Sequence, residues 1–161
     1  MSKEKIAKTN ALRLLDNTNI NYTYYNYENE DGKIDGVSVA LKLQKDPTQV
    51  FKTLVTQGHS KEYYVFVIPV AEELNLKKAA KAANEKNIEM IPAKDINKIT
   101  GYIRGGCSPL GMKKPFTTFL EESAMLYDTV LCSAGKIGMQ MELAPDDLLK
   151  AASAQYADLC K

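Results

Sequence analysis

Apolar and polar positions along this chain change period several times, and each change marks a predicted element. Residues 4–16 carry Ile6, Ala7, Ala11, Leu12, Leu14 and Leu15 at helical spacing among lysines and polar groups, which predicts an opening helix. Over 20–27 the pattern becomes that of a strand, with Tyr22, Tyr24, Tyr25 and Tyr27 crowded into it. The acidic stretch 28–32 reads as a turn, and Asp35 is placed to cap a short helix reaching Leu43. Residues 49–56 and 62–68 predict two largely buried strands joined by a turn at Gly58. A lysine- and alanine-rich helix follows over 74–85 with Asn75 as its cap, then a short strand over 88–91 that Pro92 stops. Residues 95–100 predict a brief helix closed by Gly101. Strand character returns at 116–121, 129–133 and 140–143, and 145–159 predicts a closing amphipathic helix with Pro145 in its first turn.

Strands and helices do not alternate strictly, so the order predicts an α+β fold with a mixed, barrel-like sheet and flanking helices. A length of 161 residues, 45% apolar and 25% charged, suits one domain spanning 1–161 with a sizeable core. No run approaches a membrane span, and the lysines at the start have no apolar segment behind them, so a cytoplasmic protein is expected. Cys107, Cys132 and Cys160 form neither a CxxC pair nor a zinc spacing. The single histidine, His59, lies in a predicted hairpin tip, which leaves histidine triads, Cys-His dyads and multi-histidine metal sites poorly supported. A net charge of +1 announces no nucleic-acid partner for the molecule as a whole, so such binding needs a local patch.

Four features could carry chemistry. Lys52 interrupts the apolar run Val50, Phe51, Leu54, Val55, so its ammonium either points to solvent by simple alternation or meets an anion in a cleft. Thr53 should then face the other way. The stretch from Gly101 to Lys114 mixes glycines, Cys107, Ser108 and Pro109 with Arg104 and two lysines. Such a loop can turn backbone N–H groups toward a carbonyl oxygen or an anion, and it can equally be a connecting turn. The turn from Ser133 to Gly138 has phosphate-loop composition without the Walker spacing or a following helix. Lys77, Lys78 and Lys81, with Lys113 and Lys114, could meet a phosphate backbone or simply be solvated, and the tyrosines of 22–27 could stack a base.

The ordered set Val50-Phe-Lys-Thr-Leu54, Pro69-Val-Ala71 with Leu76-Lys-Lys78, Gly101-Tyr102, the run Gly105 to Lys114 and Glu142-Leu143 resembles the YbaK family. These are free-standing aminoacyl-tRNA deacylases related to the editing insertion domain of bacterial prolyl-tRNA synthetase. The resemblance implies a barrel-like mixed sheet and removal of cysteine mischarged onto proline tRNA, with no metal and no cofactor. It also implies the 3′ end of mischarged tRNA(Pro) as partner, with prolyl-tRNA synthetase as a further one, and neither DNA nor membrane. By the same likeness, Lys52 anchors the substrate, while Gly105, Gly106 and Ser108, in the loop that ends at Pro109, hold the ester carbonyl through backbone. Tyr27, Thr53 and Ser133 would line the pocket. Where the family often has an aspartate, this chain has Gln140, so no general base stands there. The implied route is substrate-assisted: the cysteine thiol attacks its own ester and leaves as a thiolactone. On that route Cys107 is a lining residue. Preference for Ala-tRNA(Pro) and a non-catalytic tRNA- or nucleotide-binding module are the alternatives.

Overall fold

The computed structural model describes residues 8–161. Its elements run α1 (Asn10–Asn17), β1 (Thr23–Asn26), α2 (Gly36–Lys42), β2 (Phe51–Gly58), β3 (Tyr63–Pro69), α3 (Leu76–Ala83) and β4 (Ile88–Met90). They continue with α4 (Ile96–Thr100), β5 (Thr117–Glu121), β6 (Val130–Lys136), β7 (Met139–Leu143), α5 (Pro145–Ala152) and β8 (Gln155–Ala157). Two 3-10 turns, Ala93–Asp95 and Glu122–Leu126, precede α4 and follow β5. The part of the opening helix predicted over 4–7 lies outside the described residues; the remainder is α1.

Local chemistry sets the helix boundaries. Thr9 caps α1 by accepting from Leu12 N, and the stripe Ala11, Leu12, Leu15 is buried. The Asp35 carboxylate caps α2 through Ser38 N at 3.1 Å, and the Asn75 amide oxygen caps α3 through Lys77 N and Lys78 N. Gly101 closes α4 at a φ of 87°, a conformation that suits glycine.

The predicted closing helix is corrected by the structure. α5 ends at Ala152, because Ser153 takes the left-handed conformation and the N–H of Ala154 turns back to the Leu149 carbonyl at 2.8 Å. The chain then forms β8, which pairs parallel with β5. The buried Glu121 carboxylate accepts from Leu159 N at 2.9 Å and fixes this return. Tyr156 and Leu159, which fit a helical stripe in sequence, instead pack at a sheet edge.

Two sheets result. One is the antiparallel β1-β7-β6, the other the mixed β4-β2-β3-β5-β8, in which β3-β5 and β5-β8 are parallel. They meet at the start of β2. Val50 bridges Leu131, Leu131 N donates to the Gln49 carbonyl at 3.0 Å, and Val70 N donates to the Val50 carbonyl at 2.8 Å. The sheets join along this seam without closing into a full barrel. Ala40, Val50, Val70 and Leu131 pack around it, and the larger core lies between α1 and the inner faces of both sheets.

Leu131 is fully buried at the seam, whereas Leu126 is 81% exposed. Leu131→Ala is expected to cost about 2–5 kcal/mol in urea denaturation, and Leu126→Ala at most about 0.5 kcal/mol.

Candidate functional site

Directly after the seam, the chain opens a cavity of about 330 Å³. Val50, Phe51, Lys52 and Thr53 all line it. Consecutive residues of one strand cannot share a face, so the cavity wraps the strand's edge and takes in both Lys52 and Thr53. Thr53 also lines a neighbouring cavity, as a strand residue on the face opposite Lys52 can.

The opposite wall comes from the segment leading into α2. Ile34, Val37 and Val39 supply apolar surface, and Tyr27 is buried beside them. Lys42 holds this segment in place. Its ammonium donates to the carbonyls of Glu28 and Lys33 and to the Asp31 carboxylate at 2.6–2.9 Å. These apolar positions carry no signal in the sequence that sets them apart from core residues, since their place on the cavity depends on what packs against them.

The third wall joins the glycine loop to the β6–β7 turn. Gly105, Cys107, Ser133 and Gln140 face the cavity, and Ser133 and Gln140 are direct cross-strand partners. A side chain at Gly106 would meet the backbone of Lys136 and Ile137 at 2.8–3.0 Å, so glycine is what lets the loop lie against that turn. The loop is braced internally: the Tyr102 hydroxyl donates to the Leu110 carbonyl at 2.6 Å, and Leu110 N donates to Ser108 Oγ at 3.2 Å.

The predicted site residues therefore separate. Lys52, Tyr27, Thr53, Gly105, Ser133 and Gln140 converge on one cavity. Gly106 and Ser108 lie behind it: the Gly106 N–H donates to the Ile103 carbonyl at 3.0 Å, and Ser108 is fully buried. Pro109 lines a different, smaller cavity on the far side of the loop. Among the described residues, the N–H groups of Gly105 and Cys107 have no protein acceptor. Both residues line the cavity.

The electrostatics are those of a cation without a base. The Lys52 ammonium has no hydrogen-bond or ion-pair partner among the described residues. The one carboxylate on the lining is Asp35 at the rim. Its bonds to the Ser38 hydroxyl and N–H hold it ionised below the usual carboxylate range and occupy it as a cap. Gln140 brings a carboxamide with no charge, and its Oε1, like Thr53 Oγ1, has no protein partner. Burial pushes the Cys107 thiol up to about 11, so it is protonated near neutrality and a poor nucleophile. Among the described residues no group of three or more His, Cys, Asp or Glu side chains could hold a metal ion, and no helix is long and apolar enough to cross a membrane.

Behind Gln140, on the same face of β7, Glu142 anchors the sheet. It accepts from the Tyr25 and Thr129 hydroxyls at 2.6 Å each, with the Lys45 ammonium at 3.5 Å. Burial raises the Glu142 carboxyl pKa, but those hydroxyls and Lys45 together outweigh it, and the net shift is downward.

A family model, the aminoacyl-tRNA editing domain, matches residues 35–151. A protein of Enterococcus faecalis, provisionally named Cys-tRNA(Pro)/Cys-tRNA(Cys) deacylase EbsC, is 45% identical over 160 residues, covering 99% of this chain and 98% of its own. A solved structure described as a provisional trans-editing enzyme for prolyl-tRNA synthetase superposes with a TM-score of 0.81 at 22% identity, covering 97% of this chain and 99% of that one. The crystal structure of hypothetical protein APE2540 gives 0.87 at 18% identity, covering 95% and 100%. At these identities the two structures establish the fold.

Two outcomes follow from the site's electrostatics. Because the folded-state pKa of Glu142 is depressed, its contribution to stability is present above its ordinary value of 4.5 and is lost as pH falls through the folded value. Glu142→Gln should thus lower stability at pH 7 and flatten its decline in acid, measured by urea unfolding between pH 7 and 3. Iodoacetamide should alkylate Cys107 at pH 8 on the order of 100-fold more slowly than a free cysteine, followed by mass spectrometry of the digested protein.

Proposed function

The chain belongs to the aminoacyl-tRNA editing domain family, and from that membership we propose that it removes cysteine from mischarged Cys-tRNA(Pro). The observation that carries this reading is one cavity lined by an unpartnered Lys52 ammonium and by Gly105 and Cys107, whose N–H groups have no protein acceptor, with its one carboxylate engaged as a helix cap. An aminoacyl ester is already activated, so such a site can act by positioning and by polarising the carbonyl.

In the proposed reaction, the tRNA 3′ end enters with its terminal ribose or phosphate on Lys52. The ester carbonyl oxygen accepts from the Gly105 and Cys107 N–H groups. The substrate's own thiol then forms a C–S bond to the ester carbon as the C–O bond to the ribose breaks. The electron pair goes to the ribose oxygen, which ends with the proton the thiol has lost. Intact tRNA and a thiolactone leave, and water opens the thiolactone afterwards. Tyr27, Thr53, Ser133 and Gln140 shape the acyl pocket, while Gly106, Ser108 and Pro109 hold the loop in register. Its protonated state makes Cys107 a wall of the pocket and leaves the nucleophile to the substrate.

A net charge of +1 gives tRNA little general attraction, so binding of tRNA alone is weak and salt-sensitive, and prolyl-tRNA synthetase delivers the substrate. The neutral Gln140 supports a second reading in which Ala-tRNA(Pro) is preferred, because a polar amide does not itself select for a thiol.

The test is release of labelled amino acid from Cys-tRNA(Pro) and Ala-tRNA(Pro) side by side. Cysteine should be released faster, and Lys52→Ala should lower kcat/KM by about 100-fold or more. Unchanged release by that variant would remove Lys52 from the site, and faster release of alanine would favour the second reading.

A further inference from the structure

A second cavity of about 280 Å³ adjoins the first. The two share Thr53, Gly105 and Cys107, so one wall separates them and the exposed Gly105 stands at both. The second cavity is otherwise different in character. Leu54, Val55, Met90, Ile91 and Ile96 make an apolar slot between β2, β4 and α4, and Arg104 lines its mouth. Met90 is 47% exposed, and the neighbouring Ile103 is 52% exposed. Arg104 is exposed and takes part in no salt bridge among the described residues. Lys94, next to the lining Ala93, is exposed as well. An apolar slot with an unpaired guanidinium at its mouth has the chemistry of a site for a flat base carried on an anionic backbone.

We infer that this slot takes the terminal adenosine of the tRNA, with the base between Met90 and Ile96 and the Arg104 guanidinium stacked on it. The inference rests on the deacylase reading above. What selects this occupant is continuity: the ester bond sits at the Gly105–Cys107 N–H groups, and the nucleoside bonded to that ester must leave the first cavity across the wall those residues form. The slot on the other side of that wall is apolar, and its volume is close to the lower end for small-ligand sites. Its apolar lining makes few directional contacts with base edges, so it holds the end common to all tRNAs and leaves the choice of amino acid to the first cavity.

The test has two arms with independent readouts. In the first, 8-azidoadenosine 5′-monophosphate is photolysed with the native protein and the adducts are mapped by mass spectrometry. Labelling of the segment 90–104 that excess AMP suppresses is expected. Labelling confined to 27–37, or no AMP-protected labelling, would overturn the assignment whether or not the protein deacylates anything. In the second, Arg104→Ala and Met90→Asp, both at exposed positions, are assayed on Cys-tRNA(Pro). Each should raise KM about 10-fold or more, with the loss falling on KM rather than kcat. An unchanged KM in both variants would also overturn it. If AMP-protected labelling appears while native protein releases no amino acid, the slot stands and the deacylase reading falls. If release is normal but the label lies elsewhere, the reverse holds.

Discussion

The seam at Val50 positions the two strands that carry the site's lysine and serine. The bridge from Val50 to Leu131, reinforced by the Leu131 N–H on the Gln49 carbonyl and the Val70 N–H on the Val50 carbonyl, ties both sheets to one point. Lys52 follows two residues later and Ser133 lies two residues beyond Leu131, so the same bridge fixes the lysine and the serine relative to each other. The fully buried cluster around it resists relaxation, because close-packed interiors transmit small displacements instead of absorbing them. A site that works by holding an ester in place needs that stiffness more than it needs reactive side chains.

The glycine loop supplies the second half of the arrangement, and its composition has a division of labour. Gly106 permits close backbone contact with the β6–β7 turn, Ser108 and Tyr102 brace the loop from inside, and Gly105 and Cys107 line the cavity with N–H groups that no protein group accepts. Opposite them stands one uncompensated ammonium. The wall contains no histidine, no thiolate and no unoccupied carboxylate, so the site offers binding and polarisation without proton abstraction. That inventory is what the proposed substrate-assisted reaction requires, because a cysteinyl ester brings its own nucleophile.

Much of this was legible in the sequence wherever the determinants are local. Thr9, Asp35, Asn75 and Gly101 act within a few residues of themselves, and the caps and turns they make were readable, except that Thr9 was not singled out. The hairpin of β2 and β3 was readable for the same reason. The end of α5 was not, because the stripe of 145–159 fits a helix until Ser153 turns left-handed and β5 captures the chain. Among site residues, Lys52 and the glycine loop stand out by type. Their convergence depends on the seam between distant segments, and Lys52 by itself fits solvent alternation equally well. The apolar wall of Ile34, Val37 and Val39 and the burial of Ser108 were invisible for the same reason: each is set by what packs against it from elsewhere in the chain.

The claim that the substrate supplies the nucleophile while the protein supplies position is tested most directly by changing one atom of the substrate. Single-turnover deacylation of Cys-tRNA(Pro) and Ser-tRNA(Pro), nearly isosteric esters that differ in sulfur against oxygen, should show rapid loss of cysteine and little loss of serine above the uncatalysed rate. Equal rates for the two would contradict the account, since a bound water would then be doing the attack.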